Sequence, residues 1–490
     1  MQLLKKRFLT PVFALASAAI LAAPIFSASL ASEDEAEEEP DTYLAVIGGD
    51  IYTGTGEVLR SATLLSKNGK IEQIGYDLYL PEGTKELDAR GLRVYPGLVA
   101  LSATTRLSQG TFAAGLDFHE FKPHADNEGI CGDCGKDLEV IVPPALDPGE
   151  YSTEHLAVEG LKSDFDDSYD PYNGFLVMAL GNGITTVQQS NTAIKLRRGR
   201  IDDVTMSDKT MTSFSWSGSN PSGKADLRDK FRAATNYLVE FRRWEELVKK
   251  DKELKEPSQK GIDSRALEVL QGRSMAKFNA NSADDLLGIA RLAQTNKFRP
   301  VIGGCVEGWI VAEELGRAGA YAIVTPRTRS DRTETLTRES GSSIENAAIL
   351  HAAGVQVAVV PADTSIDMGG ISGRDLLHLP IEAGFAVRGG MSDKAALESI
   401  TIVPARLLGI DHRVGTLEVG KDADLVLTDG DILHYQTFVQ YTVVGGEQVY
   451  DKQEEVFYAH IRPRAEVAVD AGEEVTEEVT EEVTPASTEE

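Results

Sequence analysis

The sequence predicts an α/β protein: a (β/α)8 TIM-like barrel with a smaller β domain beside it. Three observations carry this. From Phe175 onward, buried strands alternate with helices at spacings that suit parallel strands joined by right-handed crossovers. Residues 42–95 instead hold short strands separated by Gly and Asn-Gly turns. A chain of 490 residues with 42% hydrophobic content is long enough for one large core and a second small one.

Taken in order, the chain opens with Lys5-Lys6-Arg7, an apolar run from Phe8 to Phe26 and a small-x-small step at Ser29-Leu30-Ala31. This is the layout of an export signal cleaved near residue 31. A membrane anchor is the alternative, since the run approaches spanning length. The mild hydrophobicity of Ala and Ser and the interruption at Pro24 favour cleavage, and hence a periplasmic or secreted protein without stable membrane insertion. Residues 32–41 read as an acidic linker, with seven acids between 33 and 41. Residues 463–490 read as a disordered acidic tail with a threefold Glu-Glu-Val-Thr repeat. The formal net charge of −28 leaves no basic stripe to replace counterions on phosphates, so nucleic acid is excluded as a partner.

Strands are expected at Leu44–Ile47, Ala62–Leu65 and Ile71–Ile74, with a hairpin turn at Asn68-Gly69. An apolar run follows the break at Pro96-Gly97 and is read as a buried strand entered through a turn. Residues 106–175 are polar and weakly periodic, a long excursion over the barrel mouth. Within it Cys131-Gly132-Asp133-Cys134 lies close to His119 and His124. A local disulfide, a small Zn2+ site using all four side chains, and free thiols are the three readings of that group.

Further strands are expected at Gly183–Val187, Ser274–Phe278, Pro300–Ile302, Tyr321–Thr325 and Val355–Val360. Helices are expected at Ala283–Ala293, Trp309–Leu315 and Ile344–Ala353. A long helix carries Leu227, Phe231, Ala234, Leu238, Phe241 and Val248 on one face, which is core packing.

Several stretches together resemble the amidohydrolase superfamily, and within it the imidazolonepropionase-like members. They are Pro96-Gly97-Leu98-Val99, Gly183-Ile184-Thr185-Thr186-Val187 and the run Gly415-Thr416-Leu417-Glu418-Val419-Gly420-Lys421-Asp422-Ala423-Asp424-Leu425-Val426. The resemblance implies a barrel over 94–407. It also implies a composite β-sandwich domain formed from both chain ends, residues 42–93 and 408–462. The activity it implies is hydrolysis of non-peptide, cyclic amide C–N bonds by activated water. Such chemistry needs a cation to acidify the water and a carboxylate to take its proton.

The resemblance places Ser102 and Thr104 where the family's first-strand metal-binding histidines stand, and Asn279 where a later histidine stands. Hydroxyl and amide groups bind Zn2+ far more weakly than imidazole. Asp363 corresponds to the carboxylate after the last strand and is the expected catalytic base, with a turn or N-cap role as the alternative. Lys195 is a weak candidate for the bridging ligand, and Cys305 reads as a small core residue. No cofactor is therefore assigned, with Zn2+ or another divalent metal left open at an eroded centre. Two functions follow: a hydrolase of small molecules, or a non-catalytic ligand-binding or partner subunit on the same scaffold. The latter would act as a homodimer or beside a related active amidohydrolase.

Overall fold

Gly97 separates two sheets. The computed structural model describes residues 41–104, 169–208, 211–252, 254–330, 340–366 and 374–455. The first strands are β1 (Tyr43–Tyr52), β2 (Val58–Lys67), β3 (Lys70–Gly75), β4 (Lys85–Asp88) and β5 (Arg93–Pro96). The β2–β3 turn is Asn68-Gly69, both with positive φ (48° and 79°), the geometry that makes this dipeptide a tight hairpin.

The chain then leaves for β6 (Leu98–Ala103), the buried strand expected after Pro96-Gly97, which begins a different sheet. Gly97 is required at the switch. A Cβ there would lie 2.1 Å from Thr185 Oγ1, while the Gly97 amide donates to Asp424 O at 2.9 Å. Helix α1 (Gly174–Gly181), capped by Asn173, leads into β7 (Ile184–Gln189), which pairs parallel with β6. The antiparallel additions β8 (Thr192–Lys195) and β9 (Thr205–Ser207) complete this four-stranded sheet.

A five-stranded parallel sheet follows: β10 (Met211–Phe214), β11 (Met275–Ala280), β12 (Pro300–Gly304), β13 (Tyr321–Val324) and β14 (Gln356–Val359), in that order. The connections carry α2 (Pro221–Val248), α3 (Ser264–Leu270), α4 (Ala283–Asn296), α5 (Ala312–Arg317) and α6 (Asn346–Ala352). In α2 the buried residues are Leu227, Phe231, Ala234 and Tyr237. Tyr237 is buried where Leu238 was expected, and Leu238 is half-buried. The helix expected over Trp309–Leu315 is a 3-10 turn at Gly308–Ile310 and then α5, broken where Val311 departs from helical geometry (φ −121°).

Helices α7 (Leu379–Arg388), α8 (Asp393–Glu398) and α9 (Ile402–Leu407) lead to β15 (Leu425–Thr428), β16 (Val439–Val444) and β17 (Glu447–Asp451). β15 pairs with β5, so one eight-stranded sheet is assembled from both ends of the described chain.

Strand alternation divides the apolar side chains between two cores. Leu98 and Ala100 of β6, Ile302 of β12 and Val357 of β14 pack with the helices. Val99, Leu101, Val301, Ile323 and Ala358 point the other way, into a second cluster shared with Ile402, Val403 and Leu407 of α9. The Ser399-Ile400 segment is hydrogen-bonded to both sheets: Val359 N donates to Ser399 O at 3.0 Å, and Val99 N to Ile400 O at 2.9 Å. Among the described residues, no helix is long and apolar enough to cross a membrane.

Candidate functional site

Parallel strands leave their C-terminal ends open on one side, where loops rather than helices follow, and ligands bind at such ends. Here the ends of β6, β11, β12, β13 and β14 surround a cavity of about 340 Å3. It is lined by Ser102, Lys277, Asn279, Asn281, Gly303, Gly304, Val306, Ile323, Thr325, Thr328 and Val360. Period-2 alternation explains the lining from β11: Ala276, Phe278 and Ala280 pack toward the helices, which turns Lys277 and Asn279 to the cavity face. On β12, Gly303 and Gly304 leave room for two amides. A Cβ would fall 2.5 Å from Asn279 Oδ1 at Gly303 and 2.2 Å from Asn281 Oδ1 at Gly304.

Ser102 reaches the cavity through a left-handed backbone (φ 59°), uncommon outside glycine, and its amide donates to Gln188 Oε1 at 3.2 Å. Cys305, which follows Gly304, is fully buried and its thiol is pushed up to about 12 by that burial. It is an inert core group, as expected from the sequence.

The structure gathers Ser102 and Asn279 in one cavity and puts Thr104 and Asp363 elsewhere. Thr104 is exposed, and its amide donates to Thr364 O at 3.0 Å. Asp363 lies three residues beyond Val360, exposed. Its Oδ1 accepts from the Ser365 amide and hydroxyl, both at 2.8 Å. Those two bonds hold its carboxyl below the ordinary carboxylate range. This is the geometry of an Asx turn. Neither Asp363 nor Thr104 lines the cavity.

Lys195 is not a pocket residue. It is fully buried, and its Nζ donates to Asp422 Oδ2 at 2.5 Å and Asp424 Oδ1 at 3.2 Å. Arg413 joins Asp422 Oδ2 at 2.8 Å. The cluster ties β8 to the segment before β15, a structural ion network. His378 pairs with Asp375 beside α7, away from the cavity. His119, His124, Cys131, Cys134 and His460 lie outside the described residues, as do the expected signal segment and acidic tail.

Sequence reasoning missed Lys277. Among the described residues its side chain makes no hydrogen bond or ion pair, and desolvation lowers its pKa. The signal was available: Lys277 and Asn279 are two apart on a strand whose other face is Ala, Phe, Ala.

The divalent metal implied by the family resemblance does not fit this lining. Among the described residues its donors are hydroxyls, amides and one ammonium, with no imidazole, thiol or carboxylate. Among the described residues no group of three or more His, Cys, Asp or Glu is placed to hold a metal ion.

Comparison with known proteins agrees with the architecture. Residues 310–454 match the Amidohydrolase family. A zebrafish (Danio rerio) N-acetylglucosamine-6-phosphate deacetylase is 46% identical over 68 residues, 14% of this chain and 16% of the relative. The human (Homo sapiens) protein of that name is 46% identical over 61 residues, 12% of this chain and 14% of the relative. The chain thus spans about a sixth of the length of these relatives. A crystal structure of an amidohydrolase from Thermotoga maritima MSB8 superposes with a TM-score of 0.56 at 22% identity, covering 84% of this chain and 100% of that one. Over residues 310–454 the chain is thus similar to the Amidohydrolase family, and its α/β fold is shared with that thermotogal structure.

Proposed function

We propose that this protein is a ligand-binding member of the amidohydrolase scaffold, whose strand-end cavity takes a small molecule and does not carry out metal-assisted hydrolysis. The observation that carries this reading is the cavity lining. Ser102, Asn279, Asn281, Thr325 and Thr328 offer neutral hydrogen-bonding groups, while a water-activating centre needs ligands that outcompete solvent for the cation. We read the three missing imidazoles as a metal centre lost from an inherited frame. The contacts of Ser399-Ile400 with both parallel-strand sheets, and the apolar cluster those sheets share, support closing them into a (β/α)8 barrel. The eight-stranded sheet would then form the composite β domain.

A second reading keeps the hydrolase: cleavage of a cyclic amide C–N bond, with Asp363 as base and Ser102, Thr104 and Asn279 around the substrate. It is favoured by the family match over 310–454 and by the place of Asp363 just after β14. The local similarity to deacetylases supports amide chemistry of some kind without choosing between cyclic and acyclic substrates. Export to a periplasmic or extracellular space and a homodimeric or paired assembly belong to both readings.

The test is turnover of a panel of cyclic amides and N-acetyl sugars by the full chain supplied with Zn2+ or Mn2+. The binding reading expects no rate above that of the Asp363→Ala variant. Metal-stimulated turnover that falls at least about a hundredfold on Asp363→Ala would establish the hydrolase instead.

A further inference from the structure

Lys277 is the sole charged side chain among the described residues lining the cavity, and none of them is acidic. An ammonium removed from water normally recovers its lost hydration through a carboxylate or a set of acceptors. Lys195 in this same chain does so, against Asp422 and Asp424. Lys277 has no such partner among the described residues, and burial works against its charged form. The groups sharing its cavity are those that complete an anion site: the amides of Asn279 and Asn281 can donate, as can the hydroxyls of Ser102, Thr325 and Thr328.

We propose that the cavity is a carboxylate-binding site, with Lys277 Nζ as counter-ion and the flanking amide and hydroxyl groups as hydrogen-bond donors to the carboxylate oxygens. A single cation among the described lining residues suits a monoanion better than a phosphate dianion. This rests on the ligand-binding reading above and adds the chemical class of the ligand.

The experiment uses the full chain with its lysines 13C-dimethylated, the Lys277 signal being assigned by its absence in Lys277→Met. Acetate, its neutral isostere acetamide, and inorganic phosphate are titrated separately, and thermal midpoints are recorded in parallel. The expected result is a saturable shift of the Lys277 signal with acetate, at least about tenfold weaker with acetamide. Acetate should also raise the midpoint of the wild type and not of Lys277→Met. Circular dichroism of Lys277→Met, and of Lys277→Arg as a charge-keeping second variant, confirms that the fold is kept.

Equal responses to acetate and acetamide would overturn charge selection while leaving the neutral pocket reading in place. An acetate response unchanged in Lys277→Met, or no response of Lys277 to acetate at all, would also overturn the proposal. Phosphate binding tighter than acetate would contradict the monoanion assignment. None of these outcomes depends on turnover or on bound metal, so they are separable from failure of the ligand-binding reading.

Discussion

At the residue scale, the buried ion network shows how a lysine can be read for chemistry and serve packing instead. Lys195 and Asp422 are 227 positions apart in sequence, so their contact is created only by the fold. Replacing Lys195 by Met removes the cation that Asp422 and Asp424 share, leaving Asp422 with Arg413 and Lys70, and is expected to cost about 3–5 kcal/mol, read as a lowered denaturant midpoint with unchanged slope. The same network sets an acid limit. Burial raises the Asp422 carboxyl, but Lys195 and then Arg413 outweigh it and hold it below its ordinary 3.8. Its stabilising contribution is therefore complete above about pH 4 and is lost as pH falls through the depressed value. Arg413→Gln should move acid unfolding to higher pH, which a circular-dichroism pH titration would detect.

Lys277 has the opposite sign. Its depressed pKa means the ammonium form is penalised in the folded chain, fully at neutral pH and less as pH rises toward its ordinary 10.5. Lys277→Met should be at least as stable as the wild type at pH 7, with a flatter rise toward alkaline pH. A loss of stability would mean that the ammonium has partners elsewhere.

At the element scale, turns and caps were the most legible features. Asn68-Gly69 was readable as a hairpin because only a few residue pairs accept two positive φ angles in succession. Ser392 caps α8, its hydroxyl accepting from the Ala395 amide at 3.2 Å. Ser392→Ala should cost about 1 kcal/mol in chemical denaturation. The strand after Pro96-Gly97 was readable as buried, whereas the change of sheet at Gly97 leaves no mark in hydropathy. Gly97→Ala tests the division: a Cβ 2.1 Å from Thr185 Oγ1 forces backbone movement at the sheet junction and should cost at least about 1–3 kcal/mol. A neutral outcome would mean that β5 and β6 can move apart freely.

At the scale of the whole molecule, strand–helix alternation made the α/β class legible, and the family resemblance supplied the return of the chain end to the first sheet. The candidate site was half legible. Ser102 and Asn279 were identified by position within inherited motifs and do share a cavity. Asp363 and Thr104 were identified in the same way, yet four residues beyond β14 and two beyond Ser102 are enough to leave the lining. Motif position fixes a place along a strand, whereas membership of a cavity depends on side-chain direction and loop path. Lys277 was missed for the converse reason: it occupies no motif position, and only the alternation of β11 marks it.

Elemental analysis of the full chain, purified without chelators, tests most directly whether this scaffold binds ligand without a resident metal. Far less than one Zn, Fe or Mn per chain is expected, unchanged in Asp363→Ala and Asn279→Ala. Metal lost only on Cys131→Ser would assign it to the CxxC segment and leave the cavity reading intact. About one tightly held ion per chain, lost on Asp363→Ala, would contradict it.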